Sequence, residues 1–199
     1  MSSNPPMQDK ALFLDRDGTL IVKHDYLSDP AQVELMPGVR EALHHFILRG
    51  YRLFLFTNQS GVGRGMFSFD AVKRCNERML DLLDLPYPGF TEMCIATESP
   101  DMPTVYRKPS PRFILEMTEK YSLTKTETWM VGDMPCDMQA GLNAKVNAAW
   151  IKQGNVAMVP DGVTLFRNFP AFAASCLDEN SDFAPSLALN TAGVPTAFC

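Results

Sequence analysis

Short apolar runs that each stop at a polar cluster restrict the fold of this chain more than any other feature. Ala11–Leu14 is wholly apolar and runs straight into Asp15-Arg16-Asp17-Gly18-Thr19. Tyr51–Phe56 (YRLFLF) ends at Thr57-Asn58, and Met93–Ala96 precedes a loop carrying Pro100, Pro103, Pro109 and Pro111. Thr128–Val131 ends at Gly132-Asp133, and Asn147–Ile151 follows as the last expected strand. Such runs, bounded by turn residues, suit strands covered on both faces.

The segments between them have helical spacing. Val39, Ala42, Leu43, Phe46 and Ile47 line one face of Val39–Leu48, opened by Pro37-Gly38 and stopped by Gly50. Val72, Cys75, Met79, Leu82 and Leu83 do the same in Phe69–Leu83. Ser110 as N-cap and Pro111 at the first position start a helix to about Tyr121, and Pro135–Asn143 forms another. Strands alternating with helices predict an α/β fold, a Rossmann-like parallel sheet with helices on both faces. A chain of 199 residues fills one domain of this kind, expected over residues 10–174. Residues 1–9 are an N-terminal extension, and the pattern dissolves from residue 175 into a tail expected to be poorly ordered.

Composition narrows the partners. A formal net charge of -5 argues against nucleic acid or an anionic membrane. No apolar run is long enough to span a bilayer, and the first ten residues lack an apolar signal core. Five cysteines without paired spacing predict reduced thiols and a cytoplasmic protein; a monomer or weak oligomer is expected.

In open parallel sheets, ligands bind beyond the carboxyl ends of the strands. That edge should gather Asp15 and Asp17, Thr57-Asn58-Gln59-Ser60-Gly61, and Gly132-Asp133 with Asp137, beside Arg107-Lys108. Carboxylates at the end of a buried strand are costly to desolvate unless a cation compensates them. Asp15, the Asp17 backbone carbonyl and Asp133 suit a hard divalent ion, best Mg²⁺, with Lys108 beside them. The chemistry this suggests is hydrolysis of a small phosphomonoester. Asp15 is the candidate nucleophile and Asp17 the acid and base. Thr57, Asn58 and Lys108 would hold the phosphoryl oxygens. Asp137 would orient Lys108 or a water on the metal.

Blander readings exist for each piece. Asp-x-Asp-Gly also opens calcium loops, but counting from Asp15 puts Leu20 where the glycine belongs and Tyr26 where the glutamate belongs. TNQSG alone would be a turn, and Arg107-Lys108 a solvated surface pair. A module that only binds a phosphorylated ligand would not need both a nucleophile and an acid. Cys136 lacks a basic partner in the sequence and reads as structural.

The motifs DRDGT, TNQSG, RKP and VGDMPCD, spread from Leu12 to about Ala144, resemble the haloacid dehalogenase superfamily of phosphohydrolases. Asp17 favours phosphatase over dehalogenase. FLDRDGTLI, MPGV, FTNQSGVGRG and RKPSP are similar to the branch of histidinol-phosphate and heptose-bisphosphate phosphatases, with polynucleotide 3′-phosphatases sharing some elements. The resemblance implies a sugar bisphosphate such as D-glycero-D-manno-heptose 1,7-bisphosphate as substrate, with histidinol phosphate next and a polynucleotide 3′ end third. It makes Ser60, Arg64 and Arg107 candidates for the non-reacting part of the substrate, Arg107 for a second phosphate. It also places Lys23 to Tyr26 on a flap over the site, with Lys23 and Tyr26 as candidate substrate contacts. The intervals between motifs leave no room for a separate cap domain.

The chain departs from that branch in two places. Bacterial relatives usually carry a Cys-x-His…Cys-x-Cys zinc loop before the Arg-Lys-Pro motif. Here Cys94 stands alone, with Ala96, Thr104 and Tyr106 at the other ligand positions, so no zinc is predicted. Met134 and Cys136 stand where relatives often have a lysine and an acidic residue, which removes a cationic contact.

Overall fold

The computed structural model describes residues 9–152, 156 and 158–177. In chain order the elements are β1 (Ala11–Leu14), α1 (Val39–Leu48), β2 (Arg52–Asn58), a single-turn α2 (Ser60–Gly63), α3 (Phe69–Leu83) and β3 (Phe90–Ala96). They continue with α4 (Arg112–Lys120), β4 (Thr128–Gly132), α5 (Pro135–Ala144), β5 (Asn147–Ile151), β6 (Val163–Phe166) and α6 (Phe169–Cys176). These six strands form one sheet in the order β3-β2-β1-β4-β5-β6, and each neighbouring pair within it is parallel. The chain therefore builds outward from β1 in one direction and from β4 in the other. The β1/β4 boundary is the topological switch point, where the connections leave a crevice.

The apolar strands alternate between two cores. Leu12, Leu14, Leu53, Leu55 and Val131 pack under α1, α3 and α6, against residues such as Phe46, Met79 and Phe172. Ala11, Phe13, Phe54, Phe56 and Met130 face α4 and α5 through Phe113, Ile114 and Ala140. Phe13 stacks on Phe54 with ring centroids 4.7 Å apart, and Phe113 meets Phe13 edge-on at 5.7 Å. Truncating a buried ring such as Phe13 to alanine should cost roughly 3–5 kcal/mol. Burial on both sides is what made β1 read as a continuous apolar run. Among the described residues, no element forms a separate cap over the sheet.

Several boundaries differ from the sequence reading. Asn147–Ile151 is not the last strand: β6 extends the sheet and α6 covers it. β6 is a four-residue edge strand with its middle exposed, and α6 is apolar nearly all round, so neither carries a clean period. α6 runs through Cys176, into the stretch expected to be tail, and the rest of that stretch lies outside the described residues. β3 starts at Phe90 rather than Met93. Pro111 rather than Ser110 occupies the N-cap of α4, with no side-chain cap. The TNQSG motif, expected only as a strand end and turn, continues into α2.

Candidate active site

The acidic residues predicted from distant motifs meet at the switch point. Asp15 follows β1 and is anchored by its N–H, which donates to Val131 O of β4 at 2.9 Å. Asp133 follows β4, and Asp137 lies on the first turn of α5. One carboxylate oxygen from each of Asp15, Asp133 and Asp137 lies within 4.8 Å of the others. Among the described residues, this is the cluster of three side chains able to share an ion. Cys94 is not in it. Burial and nearby carboxylates push its thiol up to about 12.

Asp133 Oδ1 tests whether a divalent ion suits the cluster. It is buried and has no hydrogen-bond partner, a position that costs energy unless a cation faces it. The backbone is shaped to receive these carboxylates. Gly18 has φ of 85°, and a Cβ there would lie 2.5 Å from Asp133 Oδ2; a Cβ at Gly132 would lie 2.2 Å from Asp137 Oδ2. An all-oxygen acidic set of this kind fits Mg²⁺. Burial raises the Asp133 pKa, with Lys23 and Lys108 pulling against it.

Lys108 is buried at 2% exposure, and its Nζ lies 2.7 Å from Asp15 Oδ1, from Asp137 Oδ1 and from Phe56 O. Burial works to lower its pKa, but the carboxylates of Asp137 and Asp15 outweigh that, so it stays a cation. Asp137 Oδ2 accepts the Met134 N–H at 2.9 Å, so both of its oxygens are occupied. Burial raises the Asp137 pKa and Lys108 opposes the rise.

Asn58, expected to hold phosphoryl oxygens with its amide, lines the cleft described below and also grips the backbone of Lys108. Its Oδ1 accepts Lys108 N–H at 2.9 Å and its Nδ2 donates to Lys108 O at 3.1 Å. It is a brace for the lysine. Thr57 is buried at the end of β2, its hydroxyl oxygen accepting from Gln59 Nε2 at 2.9 Å.

Asp17 is held by two neighbours. Arg16 donates through Nε to Oδ2 at 3.0 Å and through a terminal nitrogen to Oδ1 at 3.1 Å, and Gln59 Nε2 donates to Oδ2 at 2.9 Å. Arg16 is almost fully buried and reaches Asn76 on α3 at 2.8 Å. Burial raises the Asp17 pKa, against the nearby Arg16 charge. Neither Arg16 nor Gln59 is marked out by the sequence as a holder of Asp17. A glutamine in a turn motif carries no signal until β2 and β1 bring it beside Asp17.

A cleft of about 220 Å³ opens beside these groups, lined among others by Asp17, Lys23, His24, Tyr26, Asn58 and Ser60. Arg64 donates to the Tyr26 hydroxyl at 3.2 Å, linking the flap to the loop after α2. Tyr26 itself has φ of 56°, and its ring lies 6.4 Å from Phe67. Lys23 Nζ lies 2.8 Å from Asp133 Oδ2 and 3.2 Å from Met134 Sδ. A cation therefore stands beside Met134 after all, delivered from the flap rather than from residue 134. Arg107 is half-buried, its guanidinium 3.4 Å from Glu98 O, away from the carboxylate cluster's direct contacts. Thr104 and Tyr106 lie in a loop whose N–H groups at Val105, Tyr106 and Arg107 donate to Glu98 Oε1 at 3.2, 2.7 and 3.2 Å. Burial pushes the Cys136 thiol up to about 11, which suits a structural residue.

Residues 90–151 match the haloacid dehalogenase-like hydrolase family. A D-glycero-beta-D-manno-heptose-1,7-bisphosphate 7-phosphatase of Mesorhizobium japonicum is 36% identical over 159 residues, covering 75% of this chain and 72% of that protein. A Helicobacter pylori phosphatase of the same name is 37% identical over 139 residues, covering 69% and 79%. Among solved structures, a putative HAD-like phosphatase from Mesorhizobium loti superposes with a TM-score of 0.71 at 33% identity, over 87% of this chain and 86% of that one. The fold is also shared with a D,D-heptose 1,7-bisphosphate phosphatase from B. bronchiseptica, solved with magnesium and phosphate, at a TM-score of 0.76 and 24% identity over 84% and 98% of the two chains. This chain belongs to the haloacid dehalogenase-like hydrolases, on the branch that holds the heptose-1,7-bisphosphate 7-phosphatases.

Proposed function

We propose that the protein is a Mg²⁺-dependent phosphatase acting on a small sugar bisphosphate, with D-glycero-D-manno-heptose 1,7-bisphosphate as its substrate. The observation that carries this reading is the meeting of Asp15, Asp133 and Asp137 around buried Lys108, beside an open cleft. The named activity of its Mesorhizobium and Helicobacter relatives supports the sugar class.

Asp15, Asp133 and the Asp17 carbonyl would hold Mg²⁺, with Asp137 behind them keeping Lys108 in place. When bound, the ion supplies positive charge that lets an anionic carboxylate approach an anionic phosphoryl group. A carboxylate oxygen of Asp15 attacks phosphorus. The bond from phosphorus to the leaving oxygen breaks, and that oxygen takes a proton from Asp17. Water then attacks the phosphorus of the aspartyl-phosphate and gives a proton to Asp17. The bond to Asp15 breaks, and phosphate leaves. Lys108 and the Thr57 hydroxyl stabilise the phosphoryl oxygens as charge shifts among them. Ser60, Arg64, Tyr26 and Arg107 contact the rest of the substrate from the cleft and its rim. The same reading makes the protein a cytoplasmic enzyme, monomeric or weakly associating, with a small-molecule rather than nucleic-acid substrate. Its acidic balance and free thiols at Cys75, Cys94, Cys136 and Cys176 support this.

Side-by-side kinetics with Mg²⁺ on heptose 1,7-bisphosphate, histidinol phosphate and a 3′-phosphorylated oligonucleotide test the assignment. The expected result is the highest kcat/KM on the heptose. Preference for histidinol phosphate or the oligonucleotide would overturn the substrate. Tight ligand binding without turnover of any of the three would replace the enzyme with a binding module.

A further inference from the structure

Gln59 sits at 6% exposure between the two groups assigned to acid–base work and phosphoryl binding. Its backbone is fixed: the N–H donates to Ala96 O at 2.7 Å, and its carbonyl accepts from Val62 N–H at 3.1 Å. A primary amide nitrogen has two hydrogens. Here one goes to Asp17 Oδ2 and the other to Thr57 Oγ1, each at 2.9 Å.

Each carboxylate oxygen offers about two lone-pair directions. Asp17 Oδ2 receives donors from both Arg16 Nε and Gln59 Nε2, whereas Oδ1 receives one, from Arg16. Oδ2 is thereby filled, and Oδ1 keeps a direction in which a transferable proton can sit. At Thr57, an oxygen already accepting from Gln59 must turn its own hydrogen elsewhere, toward an acceptor such as a phosphoryl oxygen.

We propose that Gln59 is a positioning residue that fixes the Asp17 carboxylate so that its proton is carried on Oδ1 and delivered to the leaving oxygen. This rests on the reading of Asp17 as the general acid. Arg16, anchored through Asn76, supplies one half of the clamp and Gln59 the other. Without Gln59, Oδ2 has an open direction, and the carboxyl group can turn or protonate on the wrong oxygen.

The test exploits the leaving group. An alkyl phosphate leaves as a strongly basic alkoxide and needs a proton, whereas a nitrophenyl phosphate leaves without one. Gln59→Met keeps the size and removes both donors. Its kcat on a sugar phosphate should fall by about 10–100-fold, part of the ~10²–10⁴-fold that general acid catalysis supplies. The loss on nitrophenyl phosphate should be at least about tenfold smaller, with KM little changed on either. The shorter Gln59→Asn, which cannot reach Asp17, should show the same asymmetry and serves if the methionine variant folds poorly. Equal losses on both substrates, or none, would overturn the proposal. Asp17→Asn, assayed alongside, separates it from its foundation. If that variant shows no excess loss on the alkyl substrate, the acid assignment itself fails and the role of Gln59 with it.

Discussion

Asn58 and Lys108 hold each other through a closed pair of hydrogen bonds, Lys108 N–H to Asn58 Oδ1 at 2.9 Å and Asn58 Nδ2 to Lys108 O at 3.1 Å. This pair ties the end of β2 to the loop that delivers the lysine and fixes the backbone from which its ammonium reaches Asp15 and Asp137. Asn58→Ala should lose both bonds, at about 0.5–1.5 kcal/mol each. Turnover should fall by about 10-fold or more because the lysine is no longer fixed. Chemical denaturation and steady-state kinetics on one preparation check both. Full activity in Asn58→Ala would contradict the bracing role.

Lys108 compensates two buried carboxylates, so Lys108→Met should leave Asp15 and Asp137 uncompensated. Breaking a buried ion pair costs roughly 3–5 kcal/mol, and activity should be abolished. Burial already raises the Asp137 pKa above its unfolded value, and loss of the ammonium raises it further. Folded protein then binds more protons than unfolded protein as the pH falls through the Asp137 pKa, so the variant's deficit should shrink between pH 7 and pH 5. Urea unfolding at the two pH values reads this directly. A deficit that stays constant would argue against a charge origin.

Gly18 has a left-handed backbone and lies against Asp133 Oδ2. Gly18→Ala should cost about 1–2 kcal/mol of backbone strain and displace Asp133 from the cluster. Calorimetric titration with Mg²⁺ should show affinity weakened by at least about tenfold. Unchanged Mg²⁺ affinity would remove Asp133 from the ligand set.

Glu98 is the hub of its loop. Burial raises its pKa, but N–H groups from Tyr106, Arg107 and Val105 outweigh this and hold it below the usual carboxylate value. A depressed pKa stabilises the fold above the unfolded value, about 4.3, and that contribution disappears as the pH falls through the folded value. Wild type should therefore melt above Glu98→Gln at pH 7, and the gap should close in acid. A gap independent of pH would contradict this.

Much of this architecture was legible because the strands are buried on both faces and stop abruptly at polar residues. Ala11–Leu14 shows both features, and so do the ends of β2 and β4. The acidic cluster was legible for a related reason. Asp15 and Asp133 stand directly after strands that the parallel order places side by side. β6 and α6 escaped because a short exposed edge strand and an all-round apolar helix lack periodicity. The hold of Asn58 on Lys108 escaped because its partner is backbone, and sequence does not show where a backbone runs. Lys23 was expected to reach substrate, and only the folded flap shows it pairing with Asp133.

The proposed reaction requires Asp15 to form a covalent bond to phosphorus. Acid quenching during steady-state turnover of a radiolabelled phosphate ester, followed by digestion, should recover a hydroxylamine-labile phosphoryl group on the Asp15 peptide, absent in Asp15→Asn. Turnover by Asp15→Asn at the wild-type rate, with no labelled peptide from either protein, would contradict it.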